Sequence, residues 1–330
     1  MNRFRRALAL STVGLLALGA CGDDDVESGD SPAATDAAGS DQSSAPEQSS
    51  APASEAPGTG SVAPVTDPAT AGDVPTKIIS LYPTGTEMLF AIGAGDQVIA
   101  VDDQSNFPPE AEAKKTKLSG FEPSVEAIAA YEPDLVIHDG TTDVGTQLDA
   151  LGIAQWAGPA AEDFDDIYEQ IEQLGATTGH VAEAAEVVAQ MQTDIAAAVA
   201  TIPEPATPLT YYHELDNTYF SVTSNTFIGQ VYSLFGMQNI ADTAEGGTDY
   251  PQLSAEFIIS QNPDVIFLGD ADYGESPETV AARSGWDVIA AVANNNVVPV
   301  SADITSRWGP RVVEFIELVA DAIGAATVPA

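Results

Sequence analysis

Residues 124–134 read SVEAIAAYEPD, and residues 254–264 read SAEFIISQNPD. Both follow one pattern, Ser-x-Glu-x-Ile, then four residues, then Pro-Asp, and the copies lie 130 positions apart. In each, a serine suited to cap a helix precedes a glutamate in the first turn, where the positive end of the helix dipole favours an acid. Pro-Asp then stops the helix, and a short apolar run follows, LVIH at 135–138 or VIFL at 265–268, bounded as a buried strand is. A helix-to-strand unit used twice predicts an α/β chain with two similar lobes and a cleft between them.

Strand and helix patterns alternate outward from these units. KIISLY (77–82) reads as a buried strand, and residues 83–91 read as a helix that opens on Pro83 and is ended by Gly93 and Gly95. Further strands are expected at 97–101, 153–156, 209–213 and 297–300, with helices at 143–151, 163–174, 225–235 and 310–323. Such βα units build parallel sheets. Residues 180–202 contain no Gly or Pro and repeat Ala, Val, Met and Ile at helical spacing, so they read as one helix of roughly 34 Å. Prolines at 203, 205 and 208 end it. The expected organisation is an N-terminal lobe at 77–179, a stiff spine helix at 180–202 and a C-terminal lobe at 203–330.

The first 76 residues read differently. Arg3, Arg5 and Arg6 precede an apolar run from Ala7 to Leu18, the form of an export signal over residues 1–20 that is too short for a comfortable membrane span. Leu18-Gly19-Ala20-Cys21 resembles the bacterial lipobox, which implies diacylglyceryl modification of Cys21 and a lipid-anchored, extracytoplasmic protein. Cys21 is the single cysteine, so no disulfide can form within the chain. Residues 21–76 are Ser, Ala, Pro, Gly, Thr and acid without an aromatic residue, a flexible linker spanning about 40 Å.

Fifty acidic residues against ten basic ones leave a net charge of −40, which excludes nucleic acid as a partner because phosphate contacts need a basic surface. There is no Gly-rich phosphate loop, no cysteine nucleophile, no G-x-S-x-G elbow and no H-E-x-x-H helix, and the chain is not expected to be an enzyme. In parallel α/β lobes, ligands collect at the carboxyl ends of strands. That rule selects Tyr82, Phe107, Phe121, His138, Asp139, His213, Phe220, Tyr250, Asp303, Arg307 and Trp308 as ligand-binding candidates. Their aromatics suit a broad, flat ligand. His138 and His213, each ending a strand, also open a reading as haem or metal ligands with Glu214 or Asp303. A carboxylate hydrolase using Asp102, Asp103 and Glu214 is the enzyme alternative.

The run IISLYPTGTEMLFAIGAGDQVIAVDDQSNFPPEA (78–111), followed by PSVEAIAAYEPDLVI (123–137), resembles the substrate-binding proteins of ATP-binding-cassette importers for cobalamin and ferric siderophores. The resemblance covers roughly 77–325. It implies two α/β lobes bridged by one long helix, small closure on the ligand, a metal-chelate cargo (cobalamin, ferric siderophore or haem) and no resident cofactor. It also implies a monomer that meets a dimeric permease through Glu126 and Glu256, one on each lobe; helix-dipole stabilisation is the alternative role for these carboxylates. The family's pocket positions fall on Phe107, Asp139, Phe220, Tyr250, Asp303 and Arg307. Tyr250 stands where cobalamin carriers often show tryptophan, and Asp139 replaces an aromatic. Arg307 and Arg311 read either as partners of an anionic group or as local pairs.

Overall fold

The computed structural model describes residues 74–202 and 207–327; the expected leader, Cys21 and the linker as far as residue 73 lie outside them. The first lobe runs β1 (Ile78–Ser80), α1 (Pro83–Ala91), β2 (Val98–Val101), α2 (Pro109–Glu112), α3 (Val125–Ala129), β3 (Leu135–His138), α4 (Val144–Ala150) and β4 (Gln155–Ala157). Two long helices follow, α5 (Phe164–Thr178) and α6 (Val181–Ala200). The second lobe runs β5 (Thr210–Glu214), α7 (Phe227–Ser233), β6 (Gln238–Asn239), α8 (Ala255–Gln261), β7 (Val265–Leu268), α9 (Pro277–Ala281), α10 (Ala290–Ala293), β8 (Val297–Pro299), α11 (Ala302–Ser306) and α12 (Val312–Thr327).

There are two separate four-stranded sheets with the same order, β2-β1-β3-β4 and β6-β5-β7-β8, and every pairing is parallel. The repeated stretches hold equivalent places, since α3 carries the chain from β2 to β3 and α8 from β6 to β7. Their chemistry matches in detail. Ser124 Oγ accepts from Ala127 N–H and Ser254 Oγ from Phe257 N–H, capping the two helices. Each helix unit ends on a residue in the left-handed region, Glu132 (φ 50°) and Asn262 (φ 51°). Asp134 then accepts from Lys77 N–H at 2.8 Å, and Asp264 from Thr210 N–H at 2.9 Å, tying the repeat to the start of the lobe's first strand.

Strand side chains alternate between faces, and here the alternation divides the apolar interior into three. Ile78, Ile137, Tyr211, Val265 and Phe267 belong to one central core, which also takes in residues of α1, α5, α6, α7 and α12. Ile79 and Val136 face a private core of the first lobe with Ile128 of α3 and Leu148 of α4. Tyr212, Ile266 and Leu268 face the corresponding core of the second lobe with Ile258 of α8 and Val280 of α9. Both sheets therefore turn one face inward to a shared apolar body.

The expected 23-residue spine is shorter and has a companion. α6 begins after Gly179, whose φ of 80° closes α5, and it packs against α5 on one side and α12 on the other. Gly175 permits the approach of α5 to α6, because a Cβ there would lie 2.4 Å from Ala184 Cβ. At 1.5 Å per residue α6 spans about 30 Å. The irregular segments between β6 and β8, including α9 and α10, escaped the sequence reading because they carry too few residues to show a period.

Candidate ligand cleft

In a parallel βα unit the loop after each strand emerges at the carboxyl edge of the sheet, and in this molecule such loops from the two lobes meet. The 102–107 loop of the first lobe is organised by buried hydroxyls. Thr86 Oγ1 donates to Ser80 Oγ at 2.8 Å and lies 2.9 Å from Ser105 Oγ, while Ser105 N–H donates to Asp102. Burial pushes the Asp102 carboxyl above its ordinary range. Gly120 lets the next loop close over this one: a Cβ there would lie 2.3 Å from Leu81 O, and beside it Phe121 stands almost fully exposed.

From the second lobe, α11 and the residues after it reach across. Gly309 lies where a Cβ would meet Thr84 Cγ2 of α1 at 3.1 Å. Arg311 donates to both oxygens of Glu87, Nε to Oε2 at 2.9 Å and Nη2 to Oε1 at 2.6 Å, and its guanidinium lies 4.2 Å from the centre of the Phe107 ring. Arg307 adds Nη1 to Glu87 Oε1 at 3.2 Å and Nη2 to Asp303 Oδ1 at 2.7 Å, and donates to Asn106 and to the carbonyl of Gln104. Asn106 Nδ2 closes the ring by donating to Asp303 Oδ2 at 2.8 Å. The Glu87 side chain is 1% exposed, so this charge is held inside the protein by two arginines of the opposite lobe. Arg307 and Arg311 therefore pair within the protein, mainly across the lobes, and only the Arg307–Asp303 pair is local.

Aromatic groups also lie on the segments that follow the strands. Trp308 stacks on Phe227 at 4.7 Å and donates Nε1–H to Thr305 O, leaving it partly exposed. Phe220 and Tyr250 are exposed on two segments, 219–223 and 249–253, that run antiparallel and pair through Ser221 N–H to Pro251 O and Thr223 N–H to Asp249 O. Tyr82 is partly buried at the start of α1, and Asp139 accepts from the N–H and hydroxyl of Thr141 in a tight local turn.

The candidates that do not join the cleft share a physical reason, strand alternation. His138 has the parity of Val136 and faces the outer, α4 side, where Nε2 lies 2.7 Å from Gln155 Oε1 and Nδ1 accepts from Gly140 N–H. His213 has the parity of Tyr211 and points into the central core, 0% exposed and 2.8 Å from Tyr232 Oη, and burial pushes its pKa down to about 3. The two histidines face different layers, and each has a ring nitrogen engaged by a protein partner. Glu214 is likewise outward-facing and fully buried, with Arg283 donating to both its oxygens at 2.6 Å. It forms no carboxylate pair with Asp102 at a cleft. Tyr219 stacks on Trp286 at 5.7 Å and belongs to the second lobe's packing. Among the described residues, no group of three or more His, Cys, Asp or Glu is arranged to hold a metal ion.

Residues 78–303 match the family model described as periplasmic binding protein. The chain belongs to that family. Within it, a cobalamin-binding protein of Halobacterium salinarum is 33% identical over 281 residues, covering 80% of this chain and 75% of its own. An uncharacterized ABC transporter substrate-binding lipoprotein of Bacillus subtilis, YvrC, is 31% identical, covering 79% of this chain and 86% of its own. Among solved structures, the periplasmic vitamin B12 binding protein BtuF of Vibrio cholerae is similar with a TM-score of 0.61 and 26% identity, covering 78% of this chain and 99% of that one. The family and these relatives are named as binding proteins, and the likeness to BtuF extends over both of the parallel sheets here.

Glu87 went unnamed as a site residue in the sequence reading. Glu87 carried a legible signal: a lone acid in TGTEMLFAI, on a helix otherwise fit for burial, requires a cationic partner from elsewhere in the chain.

Proposed function

We propose that this chain is the extracytoplasmic substrate-binding component of an ABC importer, anchored by lipid on Cys21, which captures cobalamin or a ferric siderophore and delivers it to a permease dimer. The observation that carries the reading is the meeting of carboxyl-edge loops from two duplicated sheets, with the ring of Phe107 against Arg311 there; Phe121, Phe220 and Tyr250 are exposed on other loops. A corrin or a planar chelate presents a large apolar face that such rings cover well. The relative named as cobalamin-binding and the similarity to BtuF favour the corrin. Haem ranks below it, since the two histidines proposed as axial ligands are occupied and turned away.

Glu126 and Glu256 support the delivery step. Each is exposed at the second position of its helix, and α3 and α8 hold equivalent places between the second and third strands of their sheets. Two carboxylates in equivalent positions fit a permease of two like subunits, setting registry and encounter rate more than affinity.

Equilibrium dialysis of the full chain against cyanocobalamin, ferric trihydroxamate and haemin tests capture, with retention of at least one at micromolar concentration expected. Retention of none refutes it. For delivery, the Glu126→Ala/Glu256→Ala double variant should bind as the native chain does yet fail to support uptake. Unimpaired uptake with unimpaired binding would remove these residues from the docking role.

A further inference from the structure

The charges at the lobe junction cancel within the protein, and that bears on which chelates the cleft accepts. The described residues contain three arginines, and each is held by carboxylates: Arg283 by Glu214 and Glu275, Arg307 by Glu87 and Asp303, and Arg311 by Glu87. Of the lysines, Lys114 Nζ is bonded to the carbonyls of Gly95 and Val98, and Lys77 pairs with Glu132. At the junction two guanidinium groups face two carboxylates, and the chain as a whole is strongly acidic.

We propose that Glu87 is a specificity-determining residue: together with Asp303 it neutralises Arg307 and Arg311, and so makes the cleft accept uncharged or cationic metal chelates and reject anionic ones. This inference rests on the carrier reading above. For an anionic ligand to recruit Arg311, the guanidinium would have to turn from both oxygens of Glu87, whose side chain is 1% exposed and would keep only the 3.2 Å contact with Arg307. A buried carboxylate stripped of its partner is strongly unfavourable. Asp303, with 34% of its side chain exposed, meets an incoming anion with like charge. An uncharged chelate needs neither rearrangement and can use the rings of Phe107 and Trp308 while the ion pairs stay intact. Removing the Glu87 charge should leave the two arginines in place with net positive charge, turning the junction into an anion site.

The test is equilibrium dialysis of the full-length chain against cyanocobalamin, ferrioxamine B and a trianionic ferric tricatecholate, repeated for Glu87→Gln and Asp303→Asn. The native chain should hold its preferred uncharged or cationic chelate at least about 100-fold more tightly than the tricatecholate. Glu87→Gln should narrow that ratio about tenfold or more, and Asp303→Asn should shift it in the same direction. A native chain that binds the tricatecholate within about tenfold of its best uncharged or cationic ligand overturns the proposal whatever the variants do. So does an unchanged ratio in both variants, each showing native circular dichroism. Should Glu87→Gln fail to fold, the native ratio and Asp303→Asn decide. If the native chain binds none of the probes, the carrier reading itself fails; if it binds cyanocobalamin without charge preference, only the role of Glu87 does.

Discussion

Asp270 offers the sharpest test of the electrostatics, through the substitution Asp270→Asn. It follows β7, is 4% exposed, and both its carboxylate oxygens are buried without a hydrogen-bond partner. Burial first, then the charges of Glu214 and Glu275, push its pKa up to about 7 despite the opposing Arg283. The unfolded chain releases this proton near 3.8, so between those values the fold holds a proton that the unfolded chain has lost, and stability falls as pH rises. Ionising such a group inside the fold costs up to about 4 kcal/mol at about 1.4 kcal/mol per tenfold, and interior screening brings the range to about 2–4 kcal/mol. Asparagine has the shape of the protonated carboxyl and no charge at any pH. Asp270→Asn should therefore match the native chain at about pH 3.5, below the unfolded value, and exceed it at pH 8.5 by about 4–16 °C in melting temperature, at ~2–4 °C per kcal/mol for a body of this size. Thermal unfolding followed by circular dichroism at the two pH values reads this out, and comparing variant with native cancels the titration of every other carboxylate. A difference that does not change with pH, or a variant less stable at pH 8.5, would refute the reasoning.

Three further outcomes are expected. Arg283→Met strands the fully buried Glu214 and should destabilise the fold by about 3–5 kcal/mol in urea titration, whereas adding Glu214→Leu should recover most of the loss. Ser124→Ala and Ser254→Ala each remove a helix cap and should cost about 1 kcal/mol, adding to within ~0.5 kcal/mol because the two caps lie in separate lobes. Cys21→Ser should move the protein from the membrane fraction to the soluble fraction, as judged by immunoblot of fractionated cells, since the proposed acyl chains hang on that thiol.

Those elements of the fold that repeat or run long were legible from the residues. Ser124 and Ser254, Glu126 and Glu256, and Asp134 and Asp264 announced a duplicated unit, and the structure places them equivalently down to the left-handed residues at 132 and 262. The aspartates act through backbone amides some 55 residues away, at Lys77 and Thr210, contacts no local pattern contains. Histidines at strand ends misled for a related reason. LVIH and TYYHE each end at the carboxyl edge, but the face a side chain takes depends on strand parity, and an all-apolar buried strand hides its parity. The buried acids were invisible as pairs, because Glu87 finds Arg311 across 224 residues and Glu214 finds Arg283 across 69. A sequence declares that a buried charge needs a partner without naming it.

The shared core limits how the cleft can work. Tyr211 and Phe267 of the second sheet and Ile78 and Ile137 of the first pack into one apolar body with α5, α6 and α12, and Gln230 of α7 donates to the carbonyl of Glu162 across the lobes. Swinging the sheets widely apart would break this close-packed interior, whose density resists graded deformation. Wide hinge closure is thus a poor source of selectivity, since the lobes have little travel in which to adjust to different cargo. On the proposed carrier reading, discrimination then comes from what is fixed at the junction before the ligand arrives, namely the rings of Phe107 and Trp308 and the cancelled charges of Glu87, Asp303, Arg307 and Arg311. A ring set alone would accept any flat chelate of suitable size. In the proposed carrier it is the neutral ion cluster, with the Glu87 side chain 1% exposed, that would tell chelates of similar shape apart by charge.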